Sequence, residues 1–171
     1  VFLESVIHEK DGIHIQGSQK VVADSSSSFG DINLISHGHS DHALKKDAEN
    51  IICSDLTAKI ASERFGANFN SSDSHEKIEL IPSGHILGSR AALIDDEILY
   101  TGDVSIQDRV YLDGFNPVEA KELVIESTYG IPAYRLTKQI KIVSEIMDWI
   151  QDEEQNLFLF GYSLCRAQKI Q

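Results

Sequence analysis

Three histidines and one aspartate fall within six consecutive residues, directly after an apolar segment typical of a buried strand. The segment 32–36 is followed by His37-Gly38-His39-Ser40-Asp41-His42. In extended backbone, side chains at positions i and i+2 point the same way, so His37 and His39 can converge on one ion. If the chain then turns into a helix, the side chains of Asp41 and His42 point in another direction and can bind a second ion. The mixture of imidazole nitrogen and carboxylate oxygen is the one expected for catalytic zinc.

Two later segments supply candidate ligands that the histidine-rich loop lacks. Segment 82–89 follows a predicted strand at 77–81, and its glycines let the backbone turn sharply around His85. Asp103 stands just after a predicted strand at 98–101. A single His or Asp in a loop is more often solvated or capping a backbone group. The alternative for the 37–42 loop is likewise that its histidines cap neighbouring backbone groups. Their order along the chain favours metal ligation instead.

The rest of the chain predicts a layered α/β fold. Short runs rich in Ile, Val or Leu and bounded by turn residues predict strands at 13–15, 20–23, 32–36, 50–53, 77–81, 91–94, 98–101, 123–126 and 156–160. Asp95-Asp96 predicts a hairpin turn between two of them. Helical spacing of apolar residues predicts helices at 56–65, ending before Gly66, and at 136–150. Several strands precede the first helix, so we expect function in strand-end loops rather than simple βαβ alternation.

Composition bounds the setting and the partners. The formal net charge of −12 argues against a surface that grips nucleic acid through bulk positive charge. Two divalent cations would add four positive charges where an anionic substrate reacts, so the charge does not decide the question. The two cysteines form no CxxC pair, and no apolar run approaches the roughly 18 residues that span a bilayer. We therefore expect a cytoplasmic protein without a membrane partner.

The ordered motifs resemble those of the metallo-β-lactamase superfamily, which are a strand-end Asp, HxHxDH, a distal His and a distal Asp. The resemblance implies αββα layers and two zinc ions. By resemblance, the first metal would be held by His37, His39 and His85, and the second by Asp41 and His42. Asp103 would bridge the two ions, and Asp24 would orient the histidine-rich loop.

Two downstream segments are similar to the β-CASP members of that superfamily, which process nucleic acids. Glu126-Ser127-Thr128-Tyr129-Gly130 resembles the acidic motif that opens the β-CASP insertion, and the stretch 158–168 resembles the strand, loop and helix that follow. The longer match at 126–135 is close to short exonucleases of the RNA 3′-end-processing and DNA-ligase-associated types. The alternative is a buried strand followed by a Pro-containing turn. The resemblance divides the chain into a metal-binding region, 1–130, and the start of a β-CASP-like region, 131–171.

The resemblance implies a phosphodiesterase that cleaves RNA or single-stranded DNA through a metal-activated hydroxide. Asp41 would orient the nucleophile, and Glu126 would position groups around the metals. Candidate phosphate contacts are Arg135, Arg166 and Lys169, each of which is also readily explained as solvated surface charge. Two other functions remain open: a thioesterase or lactonase on the same two-metal site, and a non-catalytic scaffold subunit.

Two later histidines of β-CASP proteins have no counterpart within these 171 residues. One is proposed as a general acid and the other as a further ligand of the second metal. The resemblance therefore implies a truncated chain with an incomplete second metal site. We expect such a chain to be a poor catalyst when taken alone.

Overall fold

A computed structural model describes residues 6–27, 29–43, 49–68, 70–109, 111–162 and 164. These residues form two β-sheets and two α-helices in a mixed α/β arrangement. Neither helix in the described ranges is long and apolar enough to cross a membrane. The mixed α/β fold class that the sequence predicted is therefore confirmed.

The first sheet contains six strands in sequential order. They are β1 (Val6–Lys10), β2 (Gly12–Gln16), β3 (Lys20–Ala23), β4 (Ile32–Leu34), β5 (Ile51–Ile52) and β6 (Ser71–Ser72). The first three strands are antiparallel, and β3 to β6 run parallel. The sheet thus changes from hairpin connections to crossover connections between β3 and β4, the strand that the histidine-rich loop follows.

The second sheet contains four strands in the order β10-β9-β8-β7. They are β7 (Ile78–Pro82), β8 (Arg90–Ile94), β9 (Ile98–Tyr100) and β10 (Glu122–Val124). The β8–β9 connection is a tight turn in which Asp95 and Asp96 have φ values of 52° and 55°. Positive φ at both central positions is the conformation of a type I′ hairpin turn, as the sequence predicted.

The core lies between the two sheets. Inward-facing residues from both sheets form one buried cluster, comprising Ile15, Val21, Ala23, Ile32, Leu34, Ile52, Ile78, Ala92, Ile94, Ile98 and Tyr100. Each fully buried Ile or Leu of this kind contributes about 1.5–3 kcal/mol relative to an exposed one. Because the cluster spans both sheets, it fixes their relative position and therefore the position of the loops at their edges.

Helix α1 (Asp55–Phe65) covers the outer face of the first sheet. Its Ala61 packs with Ile51 and Cys53, whereas the neighbouring Ile52 faces the second sheet, as expected for alternating side chains. Ser54 caps the helix by accepting from Thr57 N, and the C-cap Gly66 has a left-handed φ of 69°. The helix begins one residue before the predicted start, and its end and glycine cap confirm the sequence prediction.

Helix α2 (Gln139–Asp152) has no buried residue, and the outer face of the second sheet is covered instead by loop residues. Ala91 and Leu99 on that face pack with Phe115 and Val118. The described residues therefore give a helix, two sheets and a loop layer. Among the described residues, no helix packs on the outer face of the second sheet, where an αββα fold would have its second helical layer.

Several element predictions differ from the structure. The predicted strand at 156–160 is wrong: Phe158 and Phe160 are 80% and 90% exposed, and no described strand pairs with this segment. Apolar composition alone cannot make a strand when the backbone finds no partner. Strands β1 and β6 were not predicted. Helix α2 begins three residues later than predicted, after Lys138, which makes no side-chain cap.

Candidate metal centre

Five strands end at one edge of the two sheets, and each is followed by a candidate site residue. Strands β3 and β4 run parallel, as do β9 and β10, and β7 has the direction of β9 because both are antiparallel to β8. Their carboxyl ends therefore lie on one side of each sheet, and the bond from Tyr100 OH to Asp24 shows that the two sides adjoin. The residues that follow these strands include Asp24, the 37–42 loop, His85, Asp103 and Glu126.

Four predicted ligands converge at this edge. One donor atom from each of His37, His39, His85 and Asp103 lies within 4.8 Å of the donor atoms of the other three. His37 Nε2 is 2.9 Å from His39 Nδ1 and 3.7 Å from Asp103 Oδ2. His85 Nε2 is 3.3 Å from both His39 Nδ1 and Asp103 Oδ2. The structure thus brings residues 37, 39, 85 and 103 together, over 66 positions of sequence.

The spacing of these donors fits a small tetrahedral metal ion. Ligand atoms on a zinc with bonds of about 2.0–2.1 Å stand about 3.3 Å apart. The four separations given above, from 2.9 to 3.7 Å, bracket that distance. Three imidazole nitrogens and one carboxylate oxygen also suit zinc, which tolerates mixed nitrogen and oxygen ligands.

His37 is held in its neutral form. Its side chain is fully buried, and Ser36 Oγ lies 2.9 Å from its Nδ1. Burial lowers the pKa of His37 far below its ordinary value, and the neighbouring His42, His85 and His39 lower it further. A neutral imidazole is the form that binds a metal ion.

Asp103 is placed by a glycine that no larger residue could replace easily. Gly102 has a φ of 53°, and a Cβ at this position would lie 2.5 Å from Ser36 Cβ. Burial raises the pKa of Asp103, the charge of His42 opposes this, and the nearby Glu126, Asp41 and Asp24 raise the pKa further. Carboxylates that crowd one another in this way favour a cation between them.

Asp24 organises the histidine-rich loop from beneath. Its Oδ1 accepts from Ser36 N at 2.7 Å, and its Oδ2 accepts from Ser36 Oγ at 2.5 Å and Tyr100 OH at 2.7 Å. Its Oδ2 also lies 2.8 Å from His42 Nδ1. Asp24 is 8% exposed and adopts a positive φ of 51°. These bonds join strands β3, β4 and β9 at the base of the site.

His42 is charged in the absence of metal. Burial by itself lowers the pKa of His42, but the hydrogen bond to Asp24 and the charges of Asp24, Asp103 and Asp41 together raise it to about 9. Because Nδ1 donates to Asp24, Nε2 is directed to the other side of the ring. There it lies 3.6 Å from Asp41 Oδ2 and 3.6 Å from Asp103 Oδ1.

A second group of potential ligands, Asp24, His37 and His42, is better explained as a hydrogen-bond network. Three contacts converge on Asp24 Oδ2 and one reaches Oδ1, so this carboxylate is already engaged by four protein groups. The sequence-predicted second metal set, Asp41, His42 and Asp103, is more open, because the Asp41 side chain is 77% exposed. Its three donor groups are near one another without forming a compact cluster.

The loop that carries His85 turns at two glycines and is anchored at its far end. Gly84 and Gly88 have φ values of 68° and 85°, which allow the turn that the sequence predicted. The carbonyl oxygen of Gly88 accepts from Ser54 Oγ at 2.6 Å and from Thr57 Oγ1 at 3.0 Å. Helix α1 therefore fixes the far end of the loop.

Glu126 supports the loop after Asp103. Its Oε1 accepts from Val104 N at 2.9 Å, and its Oε2 accepts from Thr128 Oγ1 at 2.6 Å. The residue thus contacts the segment that carries Asp103. Among the predicted phosphate contacts, Arg135 is exposed on the surface, and Arg166 and Lys169 lie outside the described residues.

Sequence reasoning missed three residues that shape the site. Tyr100 and Ser36 bind Asp24, and Arg109 donates through Nη1 to the carbonyl oxygen of His85. A buried tyrosine at the end of β9 is a signal that could have been used, because its hydroxyl needs a partner. Nothing in the spacing of Arg109 indicates its contact with a loop 24 positions earlier.

Comparison with known proteins finds distant relatives. The chain is 27% identical over 155 residues to a probable DNA ligase from Opitutus terrae, which covers 81% of this chain and 15% of the ligase. It is 33% identical over 101 residues to cleavage and polyadenylation specificity factor subunit 3 from Dictyostelium discoideum, covering 55% of this chain and 13% of the factor. The chain therefore spans a small part of the curated relatives it matches. No family model matches the chain.

Proposed function

We propose that the chain carries the metal centre of a phosphodiesterase that cleaves RNA or single-stranded DNA, on a metallo-β-lactamase-type fold. The observation that carries this proposal is the convergence of His37, His39, His85 and Asp103. Similarity to a protein named as a DNA ligase and to one named as a cleavage and polyadenylation factor favours nucleic acid over other substrates. The region 1–130 would form the metal-binding part, and 131–171 would begin a β-CASP-like part.

We propose zinc as the resident metal. His37, His39, His85 and Asp103 would hold the first ion, and Asp41 and His42 would share Asp103 in holding a second. When bound, such ions supply Lewis acidity and lower the pKa of a coordinated water from 15.7 towards about 7.

The chain's own residues prepare the site for this chemistry. Asp24 fixes the ring orientation of His42, so that Nε2 faces the ligand cluster instead of the core. Such partners commonly change metal affinity about ten- to a hundredfold. Asp41, which is largely exposed, would accept a proton or a hydrogen bond from an attacking water.

Glu126 positions the carboxylate that both ions would share. Its bond to Val104 N fixes the backbone directly after Asp103. Movement of that backbone would displace the Asp103 oxygens relative to the three histidines. We therefore assign Glu126 a positioning role.

The test is oligonucleotide cleavage with zinc-supplemented protein. The full-length protein that carries these 171 residues should shorten end-labelled single-stranded RNA or DNA, a chelator should abolish cleavage, and added zinc should restore it. Asp41→Ala should remove cleavage while leaving the fold intact, because the side chain is exposed. Asp148→Ala, which removes an exposed carboxylate on α2, is the matched control and should cleave normally.

Two results would contradict the proposal. One is cleavage that persists after complete metal removal. The other is ready hydrolysis of thioesters or lactones by zinc-loaded protein that leaves every oligonucleotide intact.

A further inference from the structure

A cavity of about 480 Å³ adjoins the ligand cluster, and its lining has two chemical characters. It includes the metal-ligand candidates His85 and Asp103 together with Arg109. It also includes Tyr129, Leu136 and Ile142, which are aromatic or aliphatic. A volume of about 300–1,000 Å³ is typical of small-molecule sites, so the cavity is large enough for one nucleotide.

Arg109 supplies a fixed cation in this lining. Its Nη1 donates to the carbonyl oxygen of His85, which holds the guanidinium against the loop that carries a metal ligand. Arginine binds phosphate oxygens through paired hydrogen bonds in a rigid geometry. A phosphate group in the cavity would therefore meet Arg109 close to the metal ligands.

Tyr129 supplies an aromatic surface in the same lining. Tyr129 is 53% exposed, and its ring contacts that of Tyr134 edge-on, at 5.2 Å between centroids and 77° between planes. Leu136 and Ile142 are also exposed, at 67% and 40%. Exposed apolar groups around a half-exposed aromatic ring suit the stacking of a nucleic-acid base.

We propose that this cavity is a subsite for a single nucleotide, with its phosphate on Arg109 and its base on Tyr129. The inference deepens the proposed nuclease function and rests on it. The subsite would hold the nucleotide beside the bond to be cleaved. Because stacking is tolerant of base identity, we expect little preference among the four bases.

The test measures equilibrium binding of inorganic phosphate, ribose 5-phosphate and adenosine 5′-monophosphate to the zinc-loaded chain by calorimetry. Inorganic phosphate and ribose 5-phosphate should bind with similar affinity, and adenosine 5′-monophosphate should bind more tightly, because only its base can stack on Tyr129. Arg109→Ala should weaken all three by about tenfold or more, and Arg109→Lys should restore part of the loss. Tyr129→Leu should weaken only the adenosine probe, by about five- to a hundredfold, and Tyr129→Phe should retain it.

Arg90→Ala is the matched control. Arg90 also donates through Nη1 to a carbonyl oxygen, that of Ser89, but lines a different cavity, so its loss should leave all three affinities unchanged. The zinc content of the Arg109 variants should equal that of the wild type, which a purely structural role in the His85 loop would not allow.

Three outcomes would overturn the subsite. They are wild-type affinities in both Arg109 variants, an equal loss of ribose 5-phosphate binding in Tyr129→Leu, or zinc loss that accounts for every change. Oligonucleotide cleavage with unaltered binding in these variants would remove the subsite and leave the nuclease function standing. If the predicted binding pattern were found but no oligonucleotide were cleaved, the subsite would stand and the nuclease function would be wrong.

Discussion

Replacing Asp24 with asparagine removes one charge at the base of the site while changing little else. Asparagine has the size of aspartate and tolerates the positive φ of 51° at this position. One amide oxygen can still accept from Ser36 N. The amide nitrogen would then replace Oδ2, which now faces Ser36 Oγ, Tyr100 OH and His42 Nδ1.

The expected loss follows from those contacts. Hydrogen bonds to a charged group are worth about 1.5–3 kcal/mol each, and neutral ones about 1 kcal/mol. The two hydroxyls can rotate to accept from the amide, whereas His42 must lose its donor interaction or change tautomer. We therefore expect Asp24→Asn to lower the free energy of unfolding of metal-free protein by about 2–4 kcal/mol. This is a large fraction of the roughly 5–15 kcal/mol that stabilises a typical domain.

The loss should depend on pH with a definite sign. In the folded protein the pKa of His42 is raised to about 9, above the roughly 6.5 of an unfolded histidine. Its charged form therefore contributes stability that is fully present below pH 6.5 and is lost as the pH rises through 9. The difference between wild type and Asp24→Asn should be largest in the acidic part of this window and should shrink towards its alkaline end.

Urea unfolding of chelator-treated protein between pH 6 and 9.5 measures this difference, and zinc competition with a chromophoric chelator measures the metal affinity. Affinity should fall about ten- to a hundredfold. Asp95→Asn is the matched control, because Asp95 has a φ of 52° and accepts from Ser18 in a more exposed position. Equal stabilities of both variants at every pH, with wild-type zinc affinity, would refute the role given to Asp24.

Three further predictions concern other parts of the site. Gly102→Ala should lower the free energy of unfolding by about 2 kcal/mol more than Gly66→Ala, as measured in urea or thermal unfolding. Both glycines have a positive φ, but only at Gly102 would a Cβ lie against Ser36. Equal losses of stability in the two variants would contradict this packing. The zinc affinity of the second site, at Asp41, His42 and Asp103, should increase from pH 7 to 9, because His42 must lose its proton to bind metal. Calorimetry should detect the proton that is released on zinc binding. Burial raises the pKa of Cys53 to about 11, so alkylation of Cys53 at pH 8, followed by peptide mass spectrometry, should proceed only at the rate of unfolding; rapid labelling of Cys53 in folded protein would contradict this.

The sequence predicted the parts of the structure that depend on local chemistry. Alternating apolar runs gave most strands, the tolerance of aspartate for positive φ gave the turn at Asp95-Asp96, and Gly66 gave the end of α1. The convergence of His37 and His39 followed from their spacing, and the flanking glycines of His85 indicated its loop. These features require no knowledge of distant contacts.

Features that depend on distant contacts were less accessible. Strand β6 contains only Ser71 and Ser72 and exists because β5 offers a partner, whereas the apolar segment at 156–160 has none among the described strands. The bond between Arg109 and the His85 carbonyl likewise joins segments that are separate in sequence. The roles of Asp24, Asp41 and Glu126 in catalysis remain predictions, although contacts of Asp24 and Glu126 are consistent with positioning.

Anomalous diffraction at the zinc absorption edge, on crystals of the zinc-loaded chain, tests the central claim most directly. We predict a strong peak about 2.0–2.2 Å from His37 Nε2, His39 Nδ1, His85 Nε2 and an oxygen of Asp103. A second, weaker peak should lie beside His42 Nε2 and Asp103. Zinc bound elsewhere on the chain, with no peak among these four residues at saturating metal, would contradict the account.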